Sequence, residues 1–187
     1  MEMPLLLLNQ FPELDQKSKE AFLKKLQIIT VERGELLQNE GEICDFLFFV
    51  LEGSLRSFHL RDNRDITISF ALEQEIATSM HSFITRKNSH ELIEPMEKSR
   101  IGKISYTDLM GLFDEFPMIE RVYRKILEQY YIQLEEQILS VKFKSARDRY
   151  LELLETRPKI IQKAAVGQIA SYLDMSIETL SRIRGKI

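Results

Sequence analysis

From Pro117 the chain runs to Pro158 without a single Gly or Pro. Leu127, Tyr131, Leu134, Ile138 and Val141 recur along it at spacings of four, three, four and three. A second line, Ile119, Tyr123, Ile126 and Tyr130, lies beside the first. Alternation of three and four is the signature of one helix face, and Pro117 suits a first helical turn, where its missing N–H would have no partner anyway. About 25 residues at about 1.5 Å each predict a rod of roughly 38 Å. Two apolar lines of that length need two covers. Either one stripe packs on the preceding domain while the other forms a parallel coiled-coil-like seam with a second copy, or both are buried in a monomer's core. The first reading is preferred, because a single small domain is hard to wrap around both lines. It makes all nine residues candidates for a dimer interface.

The residues before the rod follow a different period. Asp15 to Leu26 reads as an amphipathic helix, with Ala21, Phe22 and Leu26 on one side and Lys17, Lys24 and Lys25 toward water. From Ile28 the pattern becomes β-branched, Glu32 to Glu35 is a turn, and Leu36-Leu37 begins a short strand. Phe46 to Leu51 is a continuous apolar run, as expected of a strand covered on both faces. Arg61-Asp62-Asn63-Arg64 is a hairpin tip. After it Ile66, Ile68, Phe70 and Leu72 alternate with Thr67, Ser69, Ala71 and Glu73, predicting a half-buried strand. Further strands are expected through Glu91 to Glu97 and Arg100 to Ile104. Short strands with turns every ten or so residues imply a closed or double-layered β-roll.

Beyond the rod, Ser145 to Leu154 is helical and Thr156-Arg157-Pro158 breaks it. Val166 to Ile187 then reads VGQIASYLDMSIETLSRIRGKI, with apolar or small residues at Ile169, Ala170, Leu173, Met175, Leu180 and Ile183. That spacing predicts two short helices joined at Asp174-Met175-Ser176. Ala170 permits a close crossing, Asp174 tolerates a left-handed turn, and Ser176 caps the second helix. The exposed face of that second helix carries Ile177, Glu178, Ser181, Arg182 and Lys186, with Arg184 at its edge. Such a helix-turn-helix lays its second helix in the DNA major groove, where Arg pairs with guanine and Glu accepts from cytosine. Arg184, Lys186, Lys163 and Ser181 would mainly hold phosphates, as would backbone N–H groups near Gly167. The competing reading is a helical hairpin of a ligand-binding or scaffold protein that mediates protein contacts.

Charge divides in the same place. Residues 142–187 hold ten Lys/Arg against five Asp/Glu, whereas residues 1–141 hold 16 against 24, so a net charge of −3 conceals a basic tail on an acidic body. A phosphate-tracking module beside a partner domain has that distribution. One cysteine, Cys44, excludes an internal disulfide and a cysteine-held iron–sulfur cluster within one chain, and fits a small core residue in a reducing, cytoplasmic setting. Leu5 to Leu8 is too short to span a membrane. His59, His81 and His90 are scattered, without the paired spacing that a cupin-like metal enzyme on a β-roll would need. No cofactor, no metal, no membrane partner and no catalytic residue is expected.

The order of parts resembles the cyclic-AMP receptor / fumarate-nitrate regulator (Crp/Fnr) family. The most specific pieces are Phe49-Val50-Leu51-Glu52-Gly53-Ser54-Leu55, Ile104-Ser105-Tyr106, Ile169-Ala170-Ser171-Tyr172-Leu173 and Glu178-Thr179-Leu180-Ser181-Arg182-Ile183. The ending resembles the branch common in Bacteroidetes-type bacteria. The resemblance implies an α+β chain with a cyclic-nucleotide-binding-like β-roll (a double-stranded β-helix) over residues 1–115, a dimerisation helix over 116–141 and a helix-turn-helix over 142–187. It implies a homodimeric transcription regulator, with double-stranded DNA, RNA polymerase and a small-molecule effector as partners. In the family, residues matching Glu178 and Arg182 contact bases. Ile177 stands where a second Arg usually precedes the Glu, and an apolar side chain there meets a thymine methyl instead. Members that bind cyclic nucleotides carry Gly-Glu and Arg-Ser or Arg-Thr. Here Glu75 to Glu91 contains no Gly, and Ser89-His90 stands in the Arg-Ser place. Arg86 and Lys87 supply charge only from a neighbouring loop, so Arg86, Lys87, Ser89 and His90 mark the expected effector pocket without its phosphate-pairing cation. Cyclic-AMP responsiveness is therefore not expected.

Overall fold

The computed structural model describes residues 11–62 and 64–186. Leu5 to Leu8, Asn63 of the hairpin tip and the terminal Ile187 lie outside them. Helix α1 (Gln16–Lys25) starts at Asp15, whose carboxylate accepts from the Ser18 N–H at 2.7 Å. Strands β1 (Gln27–Val31), β2 (Phe46–Glu52), β3 (Leu55–Arg61) and β4 (Arg64–Ala71) follow. Then come the short β5 (Ile76–Ala77), helix α2 (Met80–Thr85), β6 (Leu92–Pro95) and β7 (Ser99–Ser105). They form two antiparallel sheets, ordered β1-β7-β2-β5 and β4-β3-β6. Phe48, Val50, Leu55, Ala71, Ile93 and Ile101 fill the space between the sheets. The turn from β2 to β3 requires glycine: Gly53 has φ +93°, and a Cβ there would lie 2.2 Å from Ser99 Oγ. Leu36-Leu37, expected as a strand, contributes only the Leu37 N–H bond to Ile93 O at 2.8 Å and an isolated bridge between Gln38 and Ile93.

Helix α3 (Tyr106–Glu115), capped by Ser105, leads into α4 (Pro117–Phe143), the 27-residue rod. The N-terminal half of α4 faces the roll. Ile119 and Val122 are buried against Phe22, Leu47, Phe49 and Leu109, with Tyr123 and Ile126 packed beside them. Ile119, Tyr123 and Ile126 fasten the rod to its own roll, as the two-cover reading expects of one stripe, and so these three are corrected as dimer-interface candidates. The C-terminal half is bare, with Tyr131 67% and Ile138 56% exposed and Leu134 and Val141 also open to solvent. Leu127 and Tyr130 lie half-buried at the transition.

Three further helices precede the reading hairpin or build it: α5 (Ala146–Thr156), α6 (Pro158–Lys163) and α7 (Val166–Tyr172), with α8 (Ile177–Arg184) completing it. They share one core of Tyr150, Leu153, Ile160, Ile169, Ala170, Leu173, Leu180 and Ile183. That core includes Phe70 and Met96 of the roll. The alternating row on β4 therefore faces a partner that its period did not identify. Ala71 points into the roll, whereas Phe70 and Leu72 meet the terminal helices and Ile66 is exposed. A register shift between Ser57 and Phe58 skips Ile68, so the inside/outside alternation changes sense there, and Thr67 is buried.

Candidate nucleic-acid interface

The terminal hairpin is assembled by the residues that its sequence singles out. Asp174 takes φ +51°, and its N–H donates to Ser171 O at 3.0 Å while the Met175 N–H donates to Ala170 O at 3.0 Å. Ser176 Oγ accepts from the Thr179 N–H at 3.2 Å and so caps α8. Ala170 is almost wholly buried where α7 meets the shared core. Arg149 on α5 holds the turn from outside. Its Nε donates to Leu173 O at 2.9 Å and its Nη2 to Asp174 O at 3.1 Å, satisfying carbonyls at the end of α7. No sequence signal distinguished Arg149 from the other basic residues of its helix.

With Leu180 and Ile183 turned inward, α8 presents Ile177, Glu178, Ser181, Arg182 and Arg184 to solvent, and Lys186 follows beyond Gly185. Ile177 is an apolar side chain 51% exposed at the first position of this helix. The Glu178 carboxyl is held below the usual glutamate range by its own backbone N–H and by Ser176. Among the described residues Arg182 makes only a long contact, Nη2 to Thr179 Oγ1 at 3.5 Å, and Arg184 and Lys186 are exposed. Gly167 is half-buried, and a Cβ there would approach Ile177 Cδ1 at 3.6 Å. At the first turn of α7, Gln168 Oε1 accepts from the Ala165 N–H at 2.9 Å, while Ala165 itself offers no side-chain cap.

Lys163 is not placed with these residues. Its ammonium donates to Glu97 Oε1 at 2.5 Å and to Glu73 Oε1 at 3.3 Å, both on the roll. In this arrangement its ammonium is taken by two carboxylates of the roll and does not stand free beside α8. Around it Lys159 pairs with Glu73 at 3.2 Å, Arg157 pairs with Glu75, and Ser171 Oγ accepts from the Thr67 N–H at 2.9 Å. Beneath α7 lies a buried cation that sequence reading missed. Arg56, 2% exposed, forks between Asp65 and Glu94, donates to Thr67 Oγ1 at 3.0 Å and stacks 4.0 Å from the Phe58 ring centroid. Burial disfavours its charge, but the two carboxylates more than compensate and hold its pKa above the usual value.

The four effector-pocket residues do not converge. Arg86 sits at φ +58° after α2, donates to Cys44 O at 2.9 Å, pairs with Asp45 and stacks over Tyr106. It locks a loop to the roll. Lys87 and His90 are exposed. Only Ser89 is interior, 1% exposed; its Oγ accepts from the Glu91 N–H at 2.9 Å and lies 2.9 Å from Ser79 Oγ. The ionisable group of this polar cluster is an acid: burial pushes the Glu91 carboxyl up, against His59, Ser57, Ser79 and His81. Tyr130 of α4 lies near enough for Glu91 to raise its hydroxyl further, beyond the effect of burial. Cys44 is fully buried, with Sγ 3.2 Å from Thr78 Oγ1. Among the described residues no group of His, Cys, Asp and Glu is arranged to hold a metal ion, and no helix is long and apolar enough to cross a membrane.

Comparison with known proteins agrees with this geometry. Residues 28–116 match the cyclic nucleotide-binding domain family. The fumarate and nitrate reduction regulatory protein of Vibrio cholerae is 24% identical over 93% of this chain and 72% of its own length. Among solved structures, the c-di-GMP responsive global regulator CLP of Xanthomonas campestris superposes with a TM-score of 0.72 at 20% identity, covering 92% of this chain and 91% of its own. FixK2 from Bradyrhizobium japonicum superposes with a TM-score of 0.75 at 17% identity, covering 86% of this chain and 83% of its own. Residues 28–116 thus match a cyclic nucleotide-binding domain, and the chain as a whole shares the fold of these regulators.

Proposed function

We propose that this chain is a cytoplasmic, sequence-specific DNA-binding transcription regulator, not an enzyme, working as a homodimer on a two-fold symmetric site. The observation that carries the reading is the face of α8: five side chains able to meet base edges or phosphates stand in solvent on a helix fixed by its own core. Glu178 and Arg182 read bases, Ile177 meets a thymine methyl, and Ser181, Arg184 and Lys186 hold phosphates. Half-sites about one helical turn apart, roughly 34 Å, suit two such helices joined through the bare half of α4. Contact with RNA polymerase is the family's route from such binding to transcription. The relatives support the regulator class, since the Vibrio protein and CLP are both named as regulators.

Cyclic AMP is not the signal in this reading. Where a phosphate would need a buried cation, the roll offers Ser79, Ser89 and the carboxyl of Glu91. An effector for this cluster would carry hydrogen-bond donors rather than an anionic phosphate. The test is selection of bound duplexes from a random pool, followed by a salt titration of the best one. Affinity falling steeply and linearly in log salt is expected, with cyclic AMP changing nothing. Recovery of no preferred duplex would turn the assignment to the scaffold alternative, in which the hairpin contacts protein.

A further inference from the structure

The basic side of the terminal unit that is not on α8 is already occupied. Arg157, Lys159 and Lys163 lie on or beside α6, and each is neutralised by a carboxylate of the roll: Glu75, Glu73, and the pair Glu73 and Glu97. Those carboxylates are themselves positioned. Glu75 accepts from the Leu72 N–H at 2.9 Å, and Glu97 Oε1 accepts from Ser54 Oγ at 2.9 Å. Arg157 also reaches Phe70 O at 3.4 Å. Three acidic groups therefore stand along the edge of β4 and the end of β6 as fixed anions against a row of cations, much as phosphates stand along a strand. The arrangement is half-exposed, which makes it reversible: exposed pairs of this kind contribute little each and are screened by salt.

We propose that Glu73, Glu75 and Glu97 act as an internal competitor for DNA phosphates, docking the terminal unit on the roll and withholding Arg157, Lys159 and Lys163 until the dock opens. The proposal rests on the DNA-binding reading above and adds a regulation to it. Undocked, the terminal unit keeps its own core of Tyr150, Leu153, Ile160, Ile169, Leu180 and Ile183, so opening costs the Phe70, Leu72 and Met96 contacts, the bond from the Thr67 N–H to Ser171 and the ion pairs rather than the fold of the hairpin. Any change in the roll that shifts the end of β4 moves Glu73 and Glu75 together, because both follow directly on that strand.

The competition predicts an unusual salt response. Salt weakens phosphate contacts, but it also weakens the internal pairs, so the native chain loses affinity with salt less steeply than its open form does. The experiment compares the full-length chain with Glu73→Gln/Glu97→Gln on a duplex selected with the native protein. A control of equal charge change, Glu20→Gln/Glu40→Gln, lies on the exposed surface away from the terminal unit. The docking-face variant is expected to bind about threefold to tenfold more tightly at low salt, with a log–log salt slope steeper by about one, and the control to bind like the native chain. Adding Lys163→Gln to the docking-face variant should reverse the gain and restore the shallower slope. A spin-label distance between roll and terminal unit should lengthen in the docking-face variant without DNA. Native duplex binding with unchanged affinity and slope in the docking-face variant overturns the competition and leaves the reading helix intact. Gains shared equally by the control overturn it as a bulk-charge effect. Failure of every form to bind any selected duplex overturns the DNA-binding reading itself, and the competition with it.

Discussion

Phe70 on the roll and Tyr172 on the first helix of the terminal hairpin meet edge to face, with ring centroids 5.1 Å apart and planes at 65°. This contact joins the end of β4 to the helix that carries the Ser171 bond to Thr67. Each aromatic pair in such geometry adds to the area it buries. The edge strand of the three-stranded sheet is thus covered by a helix of another unit, with the Phe70 and Leu72 row at the centre of the contact and the ion pairs of Glu73, Glu75 and Glu97 beside it. Phe70 belongs to the same continuous core as residues of α5, α6, α7 and α8.

Phe70→Ala should cost roughly 3–5 kcal/mol, since it empties a nearly fully buried aromatic site. The loss should appear in a particular way. Chemical denaturation of the native chain is expected to show one transition across roll and hairpin. In the variant the hairpin should lose its coupling to the roll and unfold at lower denaturant, as separate probes in the two units would record. Coincident transitions in both proteins would mean that the Phe70 contact does not couple the units.

Arg182→Ala should cost about 1–3 kcal/mol at the selected duplex and relax the preference for one base pair in each half-site, while leaving binding to random duplex almost unchanged. Lys186→Ala should weaken both duplexes alike and reduce the salt slope by about one. The two variants separate base reading from phosphate holding on the same helix. Fluorescence anisotropy with matched and substituted duplexes measures both.

Periodicity carried most of the architecture, and for a physical reason: local hydrogen bonding and one-sided burial leave a period of two or of 3.6 in the chain. Ile119 to Val141 announced a rod, and Asp174 and Ser176 announced the turn and cap seen at α8. What a period cannot encode is the identity of the covering surface. The row through Phe70 and Leu72 read as one face of a strand, yet its cover lies nearly a hundred residues downstream on α7. For the same reason Lys163 read as free charge, although Glu73 and Glu97 reach it only once the units dock. Arg56 and Arg149 were invisible because a single Arg in a strand or helix gives no sign of which distant oxygens it will find. Helix α2 was hidden by shortness; its six residues give less than two turns of pattern.

Glu91 predicts a pH dependence of stability. Its carboxyl is raised above the ordinary value of 4.5, chiefly by burial, so the folded chain holds that proton more tightly than the unfolded chain does. The associated stabilisation is complete below the unfolded value and disappears as pH rises through the folded one. Glu91→Gln keeps the shape and removes the ionisation. The variant should therefore be more stable than the native chain at neutral pH and should lose the downward slope above 4.5 that this residue causes. Thermal melts from pH 4 to pH 8 measure the difference. A variant curve parallel to the native one throughout would show that Glu91 does not retain its proton in the folded state.

The bare half of α4 predicts the oligomeric state, and the two halves of the rod predict opposite consequences for similar substitutions. Tyr131, Leu134, Ile138 and Val141 lie on one face outside the roll core, and Tyr131 and Ile138 are the most exposed of them, so replacing Ile138 costs little within a protomer. Ile138→Glu placed on a shared seam sets two carboxylates opposite each other across an apolar contact, which two copies would avoid by separating. Ultracentrifugation should then find the native chain as a dimer and Ile138→Glu as a folded monomer, with its melting behaviour preserved apart from the lost concentration dependence. Ile119→Ala belongs to the other half, where the side chain is buried beside Phe22 and Phe49. It should lower stability by about 2–5 kcal/mol without dissociating the dimer. The monomeric variant should also lose most of its affinity for a two-fold site while retaining weak binding to a half-site, because joining two reading helices makes the second contact intramolecular. A monomeric native chain, or an Ile138→Glu variant that remains dimeric, would place the seam elsewhere.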